Sequence, residues 1–599
     1  MENKEKLRSE IDDKYKWDLT RIFASDQEAL KTIDEVKGMQ KKLLTYKGKI
    51  MESSDNLYNF LKLYDKVSIK LEELMVYFIY GKYEMDTTDE DNQKNKTMID
   101  RTANDFYADT SFIDNEIIKE DYKKLVYGDE RLLEYKFYLE DLSRNKDHLL
   151  SEKEEQLLST LKKTMDFGYT TYTNMMYVDV DYGKFKDKNG RNIYVNNSNY
   201  SKLLNDNDRD IRKKAYKQKY GYYKSFSNTI SGAILQSIKE SQVISNVRGF
   251  KNSLEQSLFN DNISKKVYDN LIDSVSNNTK YLKKYYDIKR ELLGYKKLYF
   301  YDLEIMPELG IKNSISYSNA IVKIKAALKV LGEDYIINLD NYLKKNLIDV
   351  YSNKGKRNGG YEIRLYSKGP FISYNFDESY KDMFGLAHEI GHAMHSHYSS
   401  KNQPYKYSDY GLLLAEVASL TNEVIVIDYL IKKAKTKEEK IFYLMKQIEE
   451  IDHYLFNVVI EVEQEKKLHD AYENNIQMST KEIMKNYKDL KIKYYQSKNV
   501  IVSDEDMYSW MRHYQYHVPF YFYKYAIDMI AALVIGKRII DKEVGFKDKY
   551  IRFLSSGRSN YPMELFKELG IDFENKKIYM EAIEYFNSRV MLLEELLNE

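Results

Sequence analysis

A short run in the second half of the chain has the residue types and the spacing of a catalytic metal site. His388-Glu389-Ile390-Gly391-His392 places two histidines four residues apart, with a glutamate directly after the first. Residues four apart lie one above the other on a helix, so both imidazoles can bind one ion. Glu389 lies beside them, where it can contact a metal-bound water rather than the metal. The run therefore predicts a hydrolytic metal centre on a helix.

The composition of the chain favours a catalytic interpretation of this run over chance or a structural zinc site. Only nine histidines occur among the 599 residues, yet four of them lie between His388 and His397. A structural zinc site closes with four protein ligands and prefers cysteine, and the sequence has no cysteine. Apolar residues flank the run, including Phe384, Leu386 and Met394, and they predict that the site is enclosed.

Two histidines leave a zinc ion short of a protein ligand, and Glu416 is the candidate for the third. It lies among apolar residues such as Leu414 and Val417, where a carboxylate needs a cation or a donor, so a solvated charge is the weaker alternative. Glu423 is seven residues further on and shares its helical face, and we expect it to hydrogen-bond a ligating histidine. The predicted metal ligands are His388, His392 and Glu416, with one zinc ion per chain.

Charge balance and hydropathy exclude several classes of partner. Ninety-four basic residues match 94 acidic ones, so the chain has no net charge of the kind that binds nucleic acid or an anionic membrane. The opening residues Met1 to Lys6 contain no apolar core of a signal peptide. No stretch reaches the ~18 apolar residues that a membrane span needs. We expect a cytoplasmic protein with no nucleic-acid or membrane partner.

The elements that position the site are predicted to be mainly helices. Five prolines and 24 glycines in a chain of this length favour long uninterrupted elements. Apolar residues recur at three- and four-residue spacing in residues 26–44 and 57–83, as on amphipathic helices. Runs rich in Tyr, Phe and Ile predict short strands at residues 298–303, 360–366 and 370–376, just before the metal-binding helix.

A change of pattern near residue 200 predicts a domain boundary. Residues 187–190 have the composition of a turn between two short β-type stretches, at residues 178–182 and 193–195. We therefore expect an N-terminal helical lobe at residues 1–200 and a catalytic lobe at residues 201–599.

Several segments resemble one family of enzymes. They are Lys16-Trp17-Asp18-Leu19, Gly355-Lys356-Arg357-Asn358-Gly359-Gly360-Tyr361, Ala387 through His395, and Glu416-Val417-Ala418-Ser419 with Asn422-Glu423. This set is similar to the oligoendopeptidase F and thimet oligopeptidase group of zinc metallopeptidases, and within it to oligoendopeptidase F. The resemblance is spread over most of the chain.

The resemblance implies a fold and a function. The fold is a mainly α-helical, two-lobed ellipsoid with a deep substrate channel, a small β-sheet next to the metal-binding helix, and the zinc at the channel floor. The function is endopeptidase hydrolysis of short unfolded oligopeptides, which would be the partners of the protein, with Glu389 as the general base for the attacking water.

The resemblance also implies donors to the oxyanion of the reaction, which zinc alone stabilises incompletely. Tyr523 matches the family's catalytic tyrosine. Gln515 stands where the family has its histidine, with His513 and His517 on either side. We predict that His513 is the donor and keep His517 as the alternative. Since the chain has 58 tyrosines, this aromatic block would otherwise be interpreted as ordinary core.

Three further expectations complete the interpretation. Residues 369–375 are predicted to bind the substrate backbone by adding it as an extra strand. A zinc carboxypeptidase or dipeptidase on the same helices is the rival enzyme, and it needs a basic residue that holds a terminal carboxylate. A helical peptide-binding protein without chemistry is the rival outside enzymes, and the intact set of His388, Glu389, His392 and Glu416 argues against it.

Overall fold

A computed structural model describes residues 5–311 and 314–599 of the chain. About 70% of it is helical and its sheets are small, which confirms the predicted mainly α class. Residues Met1–Lys4, on which part of the signal-peptide prediction depends, lie outside the described residues. No helix of the described ranges is both long and apolar enough to cross a membrane.

The α-helices make up most of the chain, and the longest connections between them carry the short strands. They are α1 (Asp26–Leu44), α2 (Ser54–Met75), α3 (Glu90–Asp109), α4 (Ile113–Lys119), α5 (Tyr122–Tyr127), α6 (Lys136–Ser143), α7 (Glu152–Met165), α8 (Phe167–Thr173), α9 (Tyr200–Leu204), α10 (Arg209–Ser225), α11 (Ser227–Val247), α12 (Ser253–Asn260), α13 (Lys265–Ser276), α14 (Lys280–Leu292), α15 (Tyr317–Leu328), α16 (Glu333–Leu343), α17 (Tyr380–Asn402), α18 (Val417–Lys433), α19 (Lys437–Ile451), α20 (Val458–Glu473), α21 (Thr480–Tyr495), α22 (Phe522–Ile540), α23 (Phe546–Leu554), α24 (Pro562–Glu568) and α25 (Lys576–Asn598).

The strands are short and form three small sheets in the described residues. They are β1 (Lys184–Lys186), β2 (Asn192–Tyr194), β3 (Leu298–Tyr299), β4 (Ile348–Asp349), β5 (Tyr361–Ile363), β6 (Phe371–Ser373) and β7 (Val500–Ile501). β1 pairs with β2 in an antiparallel ladder, β3 pairs with β7 in a parallel one, and the third sheet has the order β4-β6-β5.

The chain divides into two compact units, and each combines distant parts of the sequence. Unit 1 comprises the described residues of Met1–Leu149, Lys312–Tyr429 and Ile535–Ile571. Unit 2 comprises Leu150–Ile311, Leu430–Val534 and Asp572–Glu599. The chain passes from unit 1 to unit 2 first after Leu149. The predicted division of the chain at residue 200 stays a prediction.

Helix α17 carries the predicted metal-binding run, and local sequence sets where it begins and ends. Ser379 is the N-cap, since its side chain accepts a hydrogen bond from the Asp382 amide at 3.1 Å. The helix ends at Asn402, and Pro404 follows two residues later, where it cannot continue a helix. The small sheet packs against this helix through β5 and β6, which confirms the predicted sheet beside it.

The strand β6 does not have the role that the sequence suggested. It lies between β4, to which it is parallel, and β5, to which it is antiparallel. The amides of Ile372 and Tyr374 already donate to Leu347 and Asp349 at 2.8 Å. Both sides of this strand are therefore paired within the protein. The prediction that residues 369–375 bind a peptide as an added strand is wrong for that reason.

The N-terminal segment is fastened to this sheet. Arg8 forms a bidentate ion pair with Asp349. Its Nη1 donates to Oδ1 at 2.9 Å, and its Nη2 donates to Oδ2. The Trp17 indole donates to the Ile372 carbonyl at 2.7 Å, and the Val350 amide donates to the Tyr15 carbonyl at 3.0 Å. The N-terminal segment, whose residues 16–19 carry part of the family resemblance, thus supports the sheet next to α17.

Asp349 is the centre of this attachment. Its side chain is fully buried, and it also pairs with the buried Lys356, whose Nζ lies 2.7 Å from Oδ1. Burial alone would raise the pKa of the Asp349 carboxyl, but its hydrogen bonds with Arg8 and Lys356 hold it below the ordinary value. Lys356 also donates to the Tyr374 carbonyl at 2.6 Å. The amino group of Lys356 thereby links β4 to residues 355–361, the segment in which Lys356 lies, and to the residues that lead into α17.

Replacing Lys356 with methionine should lower the free energy of unfolding by about 3–5 kcal/mol, because it leaves a buried carboxylate with one of its two cations. Urea unfolding followed by tryptophan fluorescence measures this loss, since Trp17 lies in the same network. The control is Lys94→Met, which removes an exposed ion pair with Asp91 and should leave the unfolding midpoint unchanged. Equal behaviour of the two variants would contradict the structural role of Lys356.

Candidate functional site

Three predicted metal ligands come together in unit 1. His388 and His392 lie one turn apart on α17, and Glu416 is the residue directly before α18. The two Nε2 atoms are 3.1 Å apart, and Glu416 Oε2 lies 3.1 Å from Nε2 of His388 and 3.5 Å from Nε2 of His392. These three residues can hold one metal ion.

The distances between these atoms suit a zinc ion. A tetrahedral zinc ion with bonds of about 2.0–2.2 Å separates its ligand atoms by roughly 3.3–3.5 Å. The observed separations of 3.1 to 3.5 Å lie close to that range. Two imidazoles and one carboxylate also match the ligand set of catalytic zinc sites, which leave a fourth position to water or substrate. The donor set and its geometry therefore fit the ion that the sequence predicts.

Glu423 orients His388 from the other side of the ring. Its Oε1 lies 2.6 Å from Nδ1 of His388. A carboxylate at this position holds the proton on Nδ1 and turns the lone pair of Nε2 toward the metal position. Glu423 is thus placed as the hydrogen-bonding partner of a ligating histidine that the sequence predicted.

The charges of the site suit a bound cation. Burial alone would raise the pKa of the Glu416 carboxyl, but contact with both imidazoles holds it well below its ordinary value. Burial alone would lower the pKa of His388, but Glu416 and Glu423 raise it well above its ordinary value. Carboxylates thus surround the ring nitrogens and stabilise positive charge there, which is the charge that a metal ion supplies.

Glu389 is buried beside the ligands, with an unsatisfied carboxylate. Its side chain is 8% exposed, and its Oε2 has no hydrogen-bond partner among the described residues. Burial raises the pKa of this carboxyl, and the charges of His388 and His392 partly oppose that shift. The backbone of Gly360 passes close by, since a Cβ added there would lie 3.3 Å from Glu389 Oε1. Glu389 is therefore free to accept a proton from a molecule that enters the site.

Gly391 allows the two helices to meet closely enough to form the site. A Cβ at this position would lie 2.5 Å from the Ser419 Cα and 2.7 Å from the Ala418 carbonyl oxygen. Contacts this short exclude any side chain larger than hydrogen. The middle of the metal-binding run and the start of α18 are thus in direct backbone contact, and this contact sets the reach of Glu416 and Glu423.

His513 and His517 both belong to unit 2. They differ in which ring nitrogen is hydrogen-bonded and in the exposure of the rest of the ring. The Arg512 Nε donates to His513 Nε2 at 3.0 Å, so that nitrogen accepts and the proton lies on Nδ1. Burial and nearby cations, Arg512 foremost, lower the pKa of His513 well below its ordinary value, and the ring is neutral. His517 contacts the Ser237 hydroxyl at 2.7 Å through Nδ1, and its Nε2 is buried without a partner in the described chain. Each ring thus has one engaged nitrogen, but the remaining nitrogen of His517 is buried, whereas the His513 side chain is 19% exposed.

Tyr523 is a core residue of unit 2. Its side chain is fully buried, and its ring packs edge-on against Tyr268 with centroids 5.5 Å apart. A substrate could reach its hydroxyl only if the surrounding side chains moved, so its role as an oxyanion donor stays a prediction. Tyr521 and Tyr525 near the start of the same helix are half-buried, with their hydroxyls 3.3 Å apart.

Two residues near Glu389 were not found by sequence reasoning. Glu362 in β5 lies close enough that the charge of Glu389 acts on it, and burial raises the pKa of Glu362 to about 8. The ring of Tyr374 lies against Gly360, where an added Cβ would be 2.5 Å away, and the carboxylate of Glu389 acts on its hydroxyl. A glutamate between Tyr361 and Ile363 in a three-residue strand is the signal that could have indicated the first.

Comparisons with known proteins give one consistent result. A family model described as "Peptidase family M3" matches residues 202–585, and one described as "Oligopeptidase F" matches residues 115–182. A protein of Borreliella burgdorferi named "Oligoendopeptidase F homolog" is 32% identical over 97% of this chain and 98% of its own length.

Solved structures share the fold. A crystal structure from Chlamydophila abortus has a TM-score of 0.89 and 26% identity, and it covers 99% of this chain and 100% of its own. The structure of oligoendopeptidase-F from Enterococcus faecium has a TM-score of 0.73 and 25% identity over 96% of this chain and 99% of its own.

Gly391→Ala should separate α17 from α18 and lower both stability and metal content. An extra methyl group in a packed contact costs about 1–3 kcal/mol of unfolding free energy, and the displaced helix carries Glu416 away from the histidines. Urea unfolding and metal analysis after dialysis measure the two effects. The control is Gly38→Ala in α1, where an added Cβ meets no atom within 4 Å, and where we expect a gain of about 0.5–1 kcal/mol. A Gly391 variant with the stability and metal content of the wild type would contradict the close contact.

Glu423→Ala should weaken metal binding about 10–100-fold, because His388 loses the partner that fixes its tautomer and orientation. Glu423→Gln keeps an oxygen acceptor for the Nδ1–H and should weaken binding less. Equilibrium dialysis against buffered free zinc measures both affinities. Affinities equal to that of the wild type in both variants would show that Glu423 does not support the ligand.

Proposed function

The chain belongs to peptidase family M3, and we propose that it is a zinc-dependent endopeptidase that hydrolyses internal bonds of short unfolded oligopeptides. The observation that carries the proposal is the convergence of His388, His392 and Glu416 around one position, with the unsatisfied Glu389 carboxylate beside it. The names of the Borreliella relative and the Enterococcus structure support the endopeptidase assignment, since both are oligoendopeptidases F or their homologues.

Zinc held by His388, His392 and Glu416 would act as a Lewis acid that polarises the scissile carbonyl and makes water more acidic. The Glu389 carboxylate accepts the proton of the attacking water through its free Oε2 and then passes it to the leaving amine. Burial raises the pKa of this carboxyl, which makes it a stronger base than an exposed glutamate. Glu423 keeps His388 in the tautomer that leaves Nε2 for the metal.

The substrate oxyanion needs donors in addition to the metal. We propose that His513 supplies one, because its ring is neutral and its Nδ1 carries the proton. Tyr523 remains the proposed tyrosine donor from the family resemblance. Tyr521 and Tyr525, close to it in the sequence, are half-buried hydroxyl groups that solvent already reaches. His517 is the weaker candidate, since its remaining nitrogen, Nε2, is buried.

Glu389→Gln should reduce cleavage of an internally quenched, end-blocked peptide of about ten residues by about 10²–10⁴-fold, because the attacking water loses its base. Metal analysis of the same sample should find the metal retained, since Glu389 is not one of the three ligands. Fluorescence increase with time measures the rate, and end-blocking restricts cleavage to internal bonds.

The matched variant is His388→Ala, which removes a ligand and should lose both metal and activity. Unchanged cleavage by Glu389→Gln would remove Glu389 from the mechanism. Cleavage of free-ended but not blocked peptides by the wild type would favour the carboxypeptidase or dipeptidase alternative.

A further inference from the structure

Only one of the three guanidinium nitrogens of Arg512, in unit 2, donates a hydrogen bond within the described residues. Its Nε donates to His513 at 3.0 Å. Its two terminal nitrogens donate to no acceptor in residues 5–311 and 314–599, and the side chain is exposed. The edge of the guanidinium formed by those two nitrogens is the one that binds a carboxylate through two parallel hydrogen bonds. Arg512 is therefore oriented by His513, with a binding edge left open.

Lys219 on α10 is a second cation in the same region. α10 packs against the short helical segment Glu505–Arg512, and the Tyr216 hydroxyl fastens the two through a buried hydrogen bond to Asp506. The Lys219 Nζ lies 4.1 Å from the centroid of the Tyr200 ring and makes no ion pair with a described carboxylate. An aromatic face holds this ammonium group in place without neutralising it.

The charges of Arg512 and its neighbours act on one another. Burial, with a further contribution from the charge of Arg512, lowers the pKa of Lys219 to about 8. The same causes lower the pKa of His453 to about 4, although its side chain is exposed. Cations that act on one another in this way attract an anion more strongly together than either would alone.

The nearby carboxylates leave this charge partly unbalanced. Glu461 is 1% exposed, and it accepts hydrogen bonds from the hydroxyls of Tyr487 and Tyr516 at 2.5 and 2.6 Å. Glu304 lies near both Arg512 and Lys219, and it partly offsets their charge. Lys491 adds a further cation, whose Nζ donates to the neutral side chain of Asn457 at 2.9 Å. Arg512 and Lys219 thus remain available to an incoming anion.

We propose that Arg512 and Lys219 form a binding subsite for a carboxylate group of the peptide substrate. The proposal rests on peptide hydrolysis as the proposed function, and it adds to that function a preference for anionic peptides. The carboxylate can come from the C-terminus of the peptide or from an Asp or Glu side chain. Both present the same planar pair of oxygens to the guanidinium.

Three quenched peptides of identical length and otherwise identical sequence test the subsite. One is neutral and amidated, one has a free C-terminal carboxylate, and one is amidated with a glutamate in place of a glutamine. The measured quantity is the KM of each anionic peptide divided by the KM of the neutral one. Holoenzymes of the wild type, Arg512→Gln, Lys219→Gln and Lys214→Gln are compared. Lys214 is on the same helix but pairs with Asp210, and it is the control.

We expect Arg512→Gln to raise this KM ratio about 10–100-fold for the peptide whose carboxylate binds, because hydrogen bonds to a charged group are lost. Lys219→Gln should raise it severalfold, and Lys214→Gln should leave it unchanged. The peptide that responds identifies the source of the carboxylate. Loss of the contact with His513 in Arg512→Gln would change kcat for all three peptides alike, so the KM ratio separates the subsite from a role through His513.

An unchanged ratio in both the Arg512 and Lys219 variants would overturn the proposal, while turnover of the neutral peptide would leave the proposed function intact. If the wild type cleaved none of the peptides, the proposed function would fail instead. Calorimetric binding of the anionic and neutral peptides to the wild type and to Lys219→Gln would then decide the subsite. Equal affinities for anionic and neutral peptides would exclude it. If Arg512→Gln does not fold, the Lys219 variant alone gives the same two outcomes.

Discussion

The contact between α17 and α18 at Gly391 is the constraint on which the candidate site depends. Because Gly391 has no side chain, the backbone of Ser419 lies where a Cβ would otherwise be. This approach brings Glu416 to Nε2 of His388 and Glu423 to Nδ1 of the same ring. One imidazole is therefore held at both nitrogens by carboxylates that come from the start of one helix. A larger separation of the helices would release both carboxylates together, so the proposed metal ligand Glu416 and the orienting partner Glu423 depend on a single packing contact.

The elements outside these two helices act on the site through the sheet. The sheet packs against α17, and its strand β4 carries Asp349, the buried carboxylate that binds both Arg8 and Lys356. Lys356 in turn contacts the carbonyl of Tyr374, whose ring lies against Gly360 beside Glu389. A chain of contacts thus extends from Arg8 to the proposed general base. Because one partner alone cannot satisfy its buried charge, Asp349 needs both Arg8 and Lys356.

Local patterns in the sequence predicted the parts of the site that lie close together along the chain. The spacing of His388 and His392 predicted a shared helix face, and the apolar surroundings of Glu416 predicted a carboxylate that needs a cation. Features that depend on distant segments were not predicted. Nothing in residues 369–375 indicates that β6 is a central strand, since its neighbours come from two other segments. The burial of Tyr523 likewise depends on packing against Tyr268, about 250 residues earlier in the chain. The aromatic residues around Tyr523 in the sequence do not distinguish it from the half-buried Tyr521 and Tyr525.

The two units give histidine opposite charge states by opposite means. In unit 1, Glu416 and Glu423 surround His388 and stabilise positive charge on the ring, so a metal ion can replace the proton there. In unit 2, burial together with Arg512, Lys491 and Lys219 destabilises positive charge on His513, so the ring remains neutral and keeps one N–H to donate. A donor to a developing oxyanion has to keep its proton, and a ligand has to give up the lone pair of one nitrogen. Neighbouring charges, rather than the imidazole itself, therefore decide which of these two tasks each histidine is suited to perform.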